Sequence, residues 1–80
     1  MEIDISKLKA GDSYYNKVEG WVKIRGVDEL SDGSFDIVDA MGQFLRAYID
    51  GVNVDWGRDS DWTITEVKIA AKNKPKQEEI

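Results

Sequence analysis

Residues 16–27 read Asn-Lys-Val-Glu-Gly-Trp-Val-Lys-Ile-Arg-Gly-Val. Val18, Val22 and Ile24 fall on one face of this run, and Lys17, Glu19, Trp21, Lys23 and Arg25 on the other. A period of two predicts a strand with one face buried. Gly20 falls on the apolar side, where a missing side chain permits strong coiling or close packing.

Three more segments carry the same signature. Ser34–Asp39 predicts a second strand, reached through the polar loop 28–33 and its Asp32-Gly33 hairpin signal. Asp39-Ala40-Met41-Gly42 predicts a tight turn, followed by a third strand over residues 43–50. On that strand Leu45, Ala47 and Ile49 are expected inward, and Phe44, Arg46 and Tyr48 outward. Residues 51–60 are irregular. Residues 61–71 are β-rich, with an alternation that slips between Ile64 and Val67 and predicts a bulge there. Residues 1–12 read as an extended arm, with Gly11 permitting a bend. Tyr14 and Tyr15 stand before the first expected strand, where capping the fold and edging a groove are both open to them.

No segment shows helical periodicity. A sheet with one apolar face must close on itself or pack on a second layer, and no second layer is visible. The expectation is therefore an all-β fold: a small closed or partly open barrel of four to five strands. One domain over residues 1–72 and a polar, flexible tail over 73–80 complete the organisation.

Composition narrows the chemistry. Eighty residues with no cysteine and no histidine exclude disulfides, thiolate zinc sites and histidine-based catalysis. Asp55, Asp59 and Asp61 surround Gly57 but lack calcium-loop spacing. No carboxylate pair has a partner that marks it as catalytic. The expectation is a non-enzyme with no metal and no cofactor. The start of the chain shows no basic region followed by an apolar core, and apolar runs are only a few residues long. An intracellular, cytoplasmic protein without a membrane segment is the expectation.

The segment Ile5-Ser6-Lys7-Leu8-Lys9-Ala10-Gly11, a spacer, and Val18-Glu19-Gly20-Trp21-Val22 resemble the start of an oligonucleotide-binding (OB) domain. The type resembled is that of archaeal single-stranded DNA-binding proteins and replication protein A. Ile37-Val38-Asp39-Ala40-Met41-Gly42 and the apolar strand after it resemble that family's strand, acidic turn, glycine and strand unit. The likeness covers residues 5–50. It implies a five-stranded barrel binding single strands across strands two and three, in DNA replication or repair. It places Phe44, Arg46 and Tyr48 on the binding face, with Trp21, Lys23 and Arg25 extending it. The chain departs from the family in two ways. Gly51 and Gly57 make residues 51–60 a poor helix where the family has one, and no clear fifth strand is visible.

The residue types suit that role independently. Single-strand binders use aromatic faces for bases and cations for phosphates, and side chains two apart on a strand share a face. The same outward residues also suit ordinary cross-strand pairing. The net charge of −5 opposes polyanion binding. Acids cluster at Asp28, Glu29, Asp32, Asp36 and Asp39, and again at Asp50, Asp55, Asp59 and Asp61. The proposed outward faces hold Lys17, Lys23, Arg25 and Arg46 against Glu19, a locally basic surface. The second functional reading is an acidic protein-interaction module, or an adaptor that mimics nucleic-acid phosphate toward a basic partner. Trp56 and Trp62 read as core or loop anchors. An exposed edge at Ile64–Ala71 would serve homodimer formation by strand pairing.

Overall fold

The computed structural model describes residues 3–74. Five antiparallel strands form one all-β sheet: β1 (Ser13–Asn16), β2 (Gly20–Glu29), β3 (Phe35–Asp39), β4 (Phe44–Ala47) and β5 (Glu66–Lys68), in the order β4-β3-β2-β1-β5. The first four make a meander, and the long connection 48–65 returns the chain beside β1. That return follows the logic of a Greek key with one extra strand. Among the described residues β4 and β5 do not pair, so the sheet is open and does not close into a barrel.

β2 organises the sheet. Its first half pairs with β1 and its second half with β3. The pairing shifts register between Ile24 and Gly26, leaving Arg25 at a bulge. A bulge bends a strand and increases its twist. Here it also reverses the alternation, so Val22, Ile24 and then Val27 contribute to the core. The expected alternation of Trp21, Lys23 and Arg25 with Val22 and Ile24 is present, but Val18 is exposed. Val18 lies in the β1–β2 turn, before the strand begins.

The fifth strand is β1, which falls between the expected arm over residues 1–12 and the first expected strand over 16–27, overlapping the latter only at Asn16. Tyr14 is buried inward and Tyr15 lies on the other face. Four residues are too few for a period-two signal against two adjacent tyrosines. Residues 5–7 also differ from the expected extended arm. They form a short 3₁₀ turn capped by Asp4, and the turn carries Ile5 into the core. The core comprises Ile5, Leu8, Tyr14, Ile24, Phe35, Ile37, Leu45, Ala47, Ile64 and Val67. Burying each large side chain contributes about 1.5–3 kcal/mol. Ile64 precedes β5, so the expected slip between Ile64 and Val67 is the entry to a short strand. Ile49 is exposed, against expectation, because β4 stops at Ala47 and a turn over Tyr48–Gly51 follows. Val52 is buried beyond that turn. Asn73, assigned to the tail, belongs to the body: its amide donates to Ala10 O at 3.0 Å and Asp12 Oδ1 at 2.8 Å. The rest of the expected tail, 75–80, lies outside the described residues. No helix among the described residues is long and apolar enough to cross a membrane.

The β1–β2 turn is held by buried polar groups. Asn16 Oδ1 accepts from Glu19 N at 2.7 Å. Tyr14 Oη and Asn16 Nδ2 both donate to Glu19 Oε1 at 3.0 Å. Burial, and then the charge and hydrogen bond of Glu19, push the Tyr14 phenol above its ordinary value. The unfolded chain releases this proton near pH 10 while the folded chain retains it. The stability is therefore complete below that pH and declines as pH rises beyond it. Tyr14→Phe is expected to lose about 1–2 kcal/mol at neutral pH. Its urea midpoint should also fall less than the parent's between neutral pH and about pH 11; an unchanged alkaline drop would show that Tyr14 is not its source.

Candidate nucleic-acid interface

Antiparallel partners lie directly opposite and share a face of the sheet. On β1 and its two neighbours the outward residues therefore form rows. One row is Trp21, Tyr15 and Glu66; the next is Lys23, Ser13 and Lys68. The rings of Tyr15 and Trp21 are 5.5 Å apart between centroids and tilted by 57°. Trp21 remains 51% exposed, so the pair leaves indole surface open. Two residues along a strand separate the rows by roughly 6.8 Å. An aromatic row thus runs beside a row with a lysine at each end. Arg25 extends it from the bulge: its Nη2 would lie 3.9 Å from a Cβ added at Gly42, so the guanidinium reaches the β3–β4 turn.

The stripe on β4 is arranged differently. Leu45 and Ala47 are buried and Phe44 is 63% exposed, matching the expected register. Arg46, however, lies opposite Asp36. Its Nε donates to Asp36 Oδ1 at 2.8 Å and its Nη2 to Asp36 Oδ2 at 3.2 Å. The guanidinium also lies 5.8 Å from the Phe44 ring centroid, within cation–π range. Asp36 first, and then Asp55 and Asp32, raise the Arg46 pKa above its ordinary value. This corrects the expectation of a basic face here. Arg46 already has a carboxylate across the strand and a ring beside it. Tyr48 is exposed but stands past the end of β4, at the start of the turn. Phe44 and Arg46 are neighbours on the strand, while Tyr48 is not on it.

The sequence leaves Tyr15 between capping the fold and edging a groove, and gives no sign of Lys68; Tyr15 enters the site through the pairing of β1 with β2, and Lys68 through that of β5 with β1. Lys68 alternates with Val67 inside a recognised β-rich run, but nothing local indicates that β5 pairs with β1. Lys17 and Glu19, expected on the outward face, lie in the turn, where Glu19 is bonded to Tyr14 and Asn16. Trp56 and Trp62 are exposed and not core anchors. Their backbones are anchored instead: Trp56 N donates to Asn53 Oδ1 at 2.8 Å, and Trp62 O accepts from Asn16 Nδ2 at 3.4 Å.

Among the described residues, no three His, Cys, Asp or Glu side chains cluster as metal ligands. The chain is a small all-β domain whose sheet exposes aromatic and cationic side chains on its outer face. Comparison with protein-family models, curated proteins and solved structures found no match.

Proposed function

We propose that the chain binds single-stranded nucleic acid across the outward face of β2, β1 and β5. The aromatic row beside the lysine row supports this reading. Bases stack on Trp21 and Tyr15, while Lys23, Lys68 and Arg25 meet phosphates. Phe44 and Tyr48 form a secondary surface, because Arg46 is engaged by Asp36. DNA, and a relationship to the OB-type single-stranded DNA-binding family, rest on the quoted sequence resemblance. Stacking contributes about 1–3 kcal/mol per base, so Trp21→Ala should weaken binding about 5- to 150-fold.

The test is a titration with an oligothymidine of about 12–16 nucleotides, followed by tryptophan fluorescence and backbone NMR. Shifts should centre on Tyr15, Trp21, Lys23 and Lys68. With three cations engaged, log K should fall against log salt with a slope near −2, from about 0.7 per phosphate. Absence of any response at near-millimolar protein would overturn the proposal. So would a Trp21→Ala variant that stays folded and binds equally well.

A further inference from the structure

The loop after β4 presents a second exposed aromatic surface. Trp56, 72% exposed, shares a shallow open depression with Trp62, Val18, Ser60 and Asp61. The loop that carries it is internally fixed. Asn53 is buried; its N donates to Thr63 Oγ1 at 3.0 Å, and its Oδ1 accepts from the backbones of Asp55 and Trp56. Thr63 Oγ1 donates in turn to Gly57 O at 2.7 Å. The hydrophobic contacts of the core do not use these indoles.

The surrounding charge selects the ligand. Asp61 lines the depression, and Asp55 and Asp59 lie in the same loop. Arg58, the loop's cation, is held by Asp50 at 3.0 Å. Lys17 lines an adjoining hollow with Asp59 and Asp61. Phosphates would meet these carboxylates unfavourably. A second copy of a chain carrying −5 would bring like charge together. A cation gains from both components, since indole faces attract guanidinium and ammonium groups and a carboxylate completes their pairing.

We propose that the Trp56–Trp62 depression, with Asp61 at its edge, receives an arginine or lysine side chain from a basic polypeptide partner. This site uses none of the residues assigned to nucleic acid and does not depend on that reading. The domain then has two faces of opposite preference, one for a polyanion and one for a basic segment.

The test uses the full ¹⁵N-labelled chain and a capped hexa-arginine peptide, with hexaglutamate as the control. The indole N–H resonances of Trp56 and Trp62 should shift with hexa-arginine, with that of Trp21 little changed. Hexaglutamate should shift none of them. Trp56→Ala leaves net charge untouched and should weaken the peptide roughly 2- to 30-fold. Asp61→Asn should weaken it several-fold. Equal affinity in a folded Trp56→Ala variant would mean diffuse charge attraction and would overturn the site. Shifts of Trp56 and Trp62 with oligothymidine but not with hexa-arginine would also overturn it. A concentration-dependent shift of Trp56 without peptide would do the same, because a second copy would then cover the depression.

Discussion

Asp12→Ala is expected to destabilise the domain by roughly 3–4 kcal/mol. The carboxylate is fully buried and accepts three hydrogen bonds. Oδ2 accepts from Lys9 N at 2.9 Å; Oδ1 accepts from Ala70 N at 2.7 Å and from the Asn73 amide at 2.8 Å. Hydrogen bonds to an ionised acceptor contribute about 1.5–3 kcal/mol each, and alanine would take this acceptor from the part-buried backbone donors of Lys9 and Ala70 and from the Asn73 amide. The whole domain is held by about 4–12 kcal/mol, from 0.05–0.15 kcal/mol per residue. The loss is therefore a large fraction of the total. Functional consequences follow from position. Asp12 immediately precedes β1, its backbone oxygen accepts from Ile24 N at 2.8 Å, and Ala70 follows β5 closely. One carboxylate thus ties the start of β1 to the end of β5, the two strands that place Tyr15 and Lys68 in one surface.

The same residue gives the domain an acid limit. Burial opposes ionisation of Asp12, but hydrogen bonds from Asn73, Ala70 and Lys9, with the Lys9 charge, outweigh it and lower the pKa. A lowered folded value means that the unfolded chain takes up the proton first as pH falls. The contribution is complete above about pH 4, the ordinary carboxylate range, and is lost below it. Urea midpoints from neutral pH down to about pH 3 should fall less steeply for Asp12→Asn than for the parent. At neutral pH the Asn variant should lie between the parent and the Ala variant, because it retains one carbonyl acceptor. A parent-like midpoint for Asp12→Ala would remove the carboxylate from this role.

Asp12 also marks the limit of what the sequence discloses. The turn at Lys9–Asp12 is readable locally from its glycine, but partners 58 and 61 residues away are not. The pattern holds elsewhere. Val22 and Ile24 on β2, and Leu45 and Ala47 on β4, follow alternation because the inside of a sheet is apolar. β1 escaped because its four residues include two adjacent tyrosines, and only tertiary burial separates Tyr14 from Tyr15. Ile49 was misplaced because alternation persists in sequence after the strand has ended. Asp36 was readable as an acid near the hairpin, yet its neutralisation of Arg46 depends on cross-strand register. The edge expected to promote homodimers is only three residues long and has Glu66 and Lys68 at its ends. Short charged edges resist strand pairing. Trp56 and Trp62 are apolar residues that the core does not use, and no one-dimensional pattern distinguishes them from anchors.

Gly51→Ala is expected to cost about 2–4 kcal/mol, from two separate causes. Gly51 has φ of +90°, a conformation that strains any residue with a Cβ. It is also packed closely: an added Cβ would lie 3.0 Å from Ile64 O, 3.2 Å from Ile64 Cβ and 3.3 Å from Ile3 Cγ2. Ile64 cannot retreat easily, because it is core and its N donates to Gly51 O at 2.9 Å. This contact joins the turn after β4 to the approach to β5, so it bridges the open side of the sheet. Gly57 provides the control. Its φ is +89°, but an added Cβ would meet nothing within 4 Å. Gly57→Ala should therefore incur only the backbone component, about 1–2 kcal/mol. Urea unfolding of both variants measures the difference, which is the packing contribution at Gly51. Hexa-arginine binding adds a functional readout, since Gly51 leads into the loop that presents Trp56. Equal losses of stability at the two glycines would show that backbone conformation alone sets the effect, and that the close approach to Ile64 is not what secures the open side.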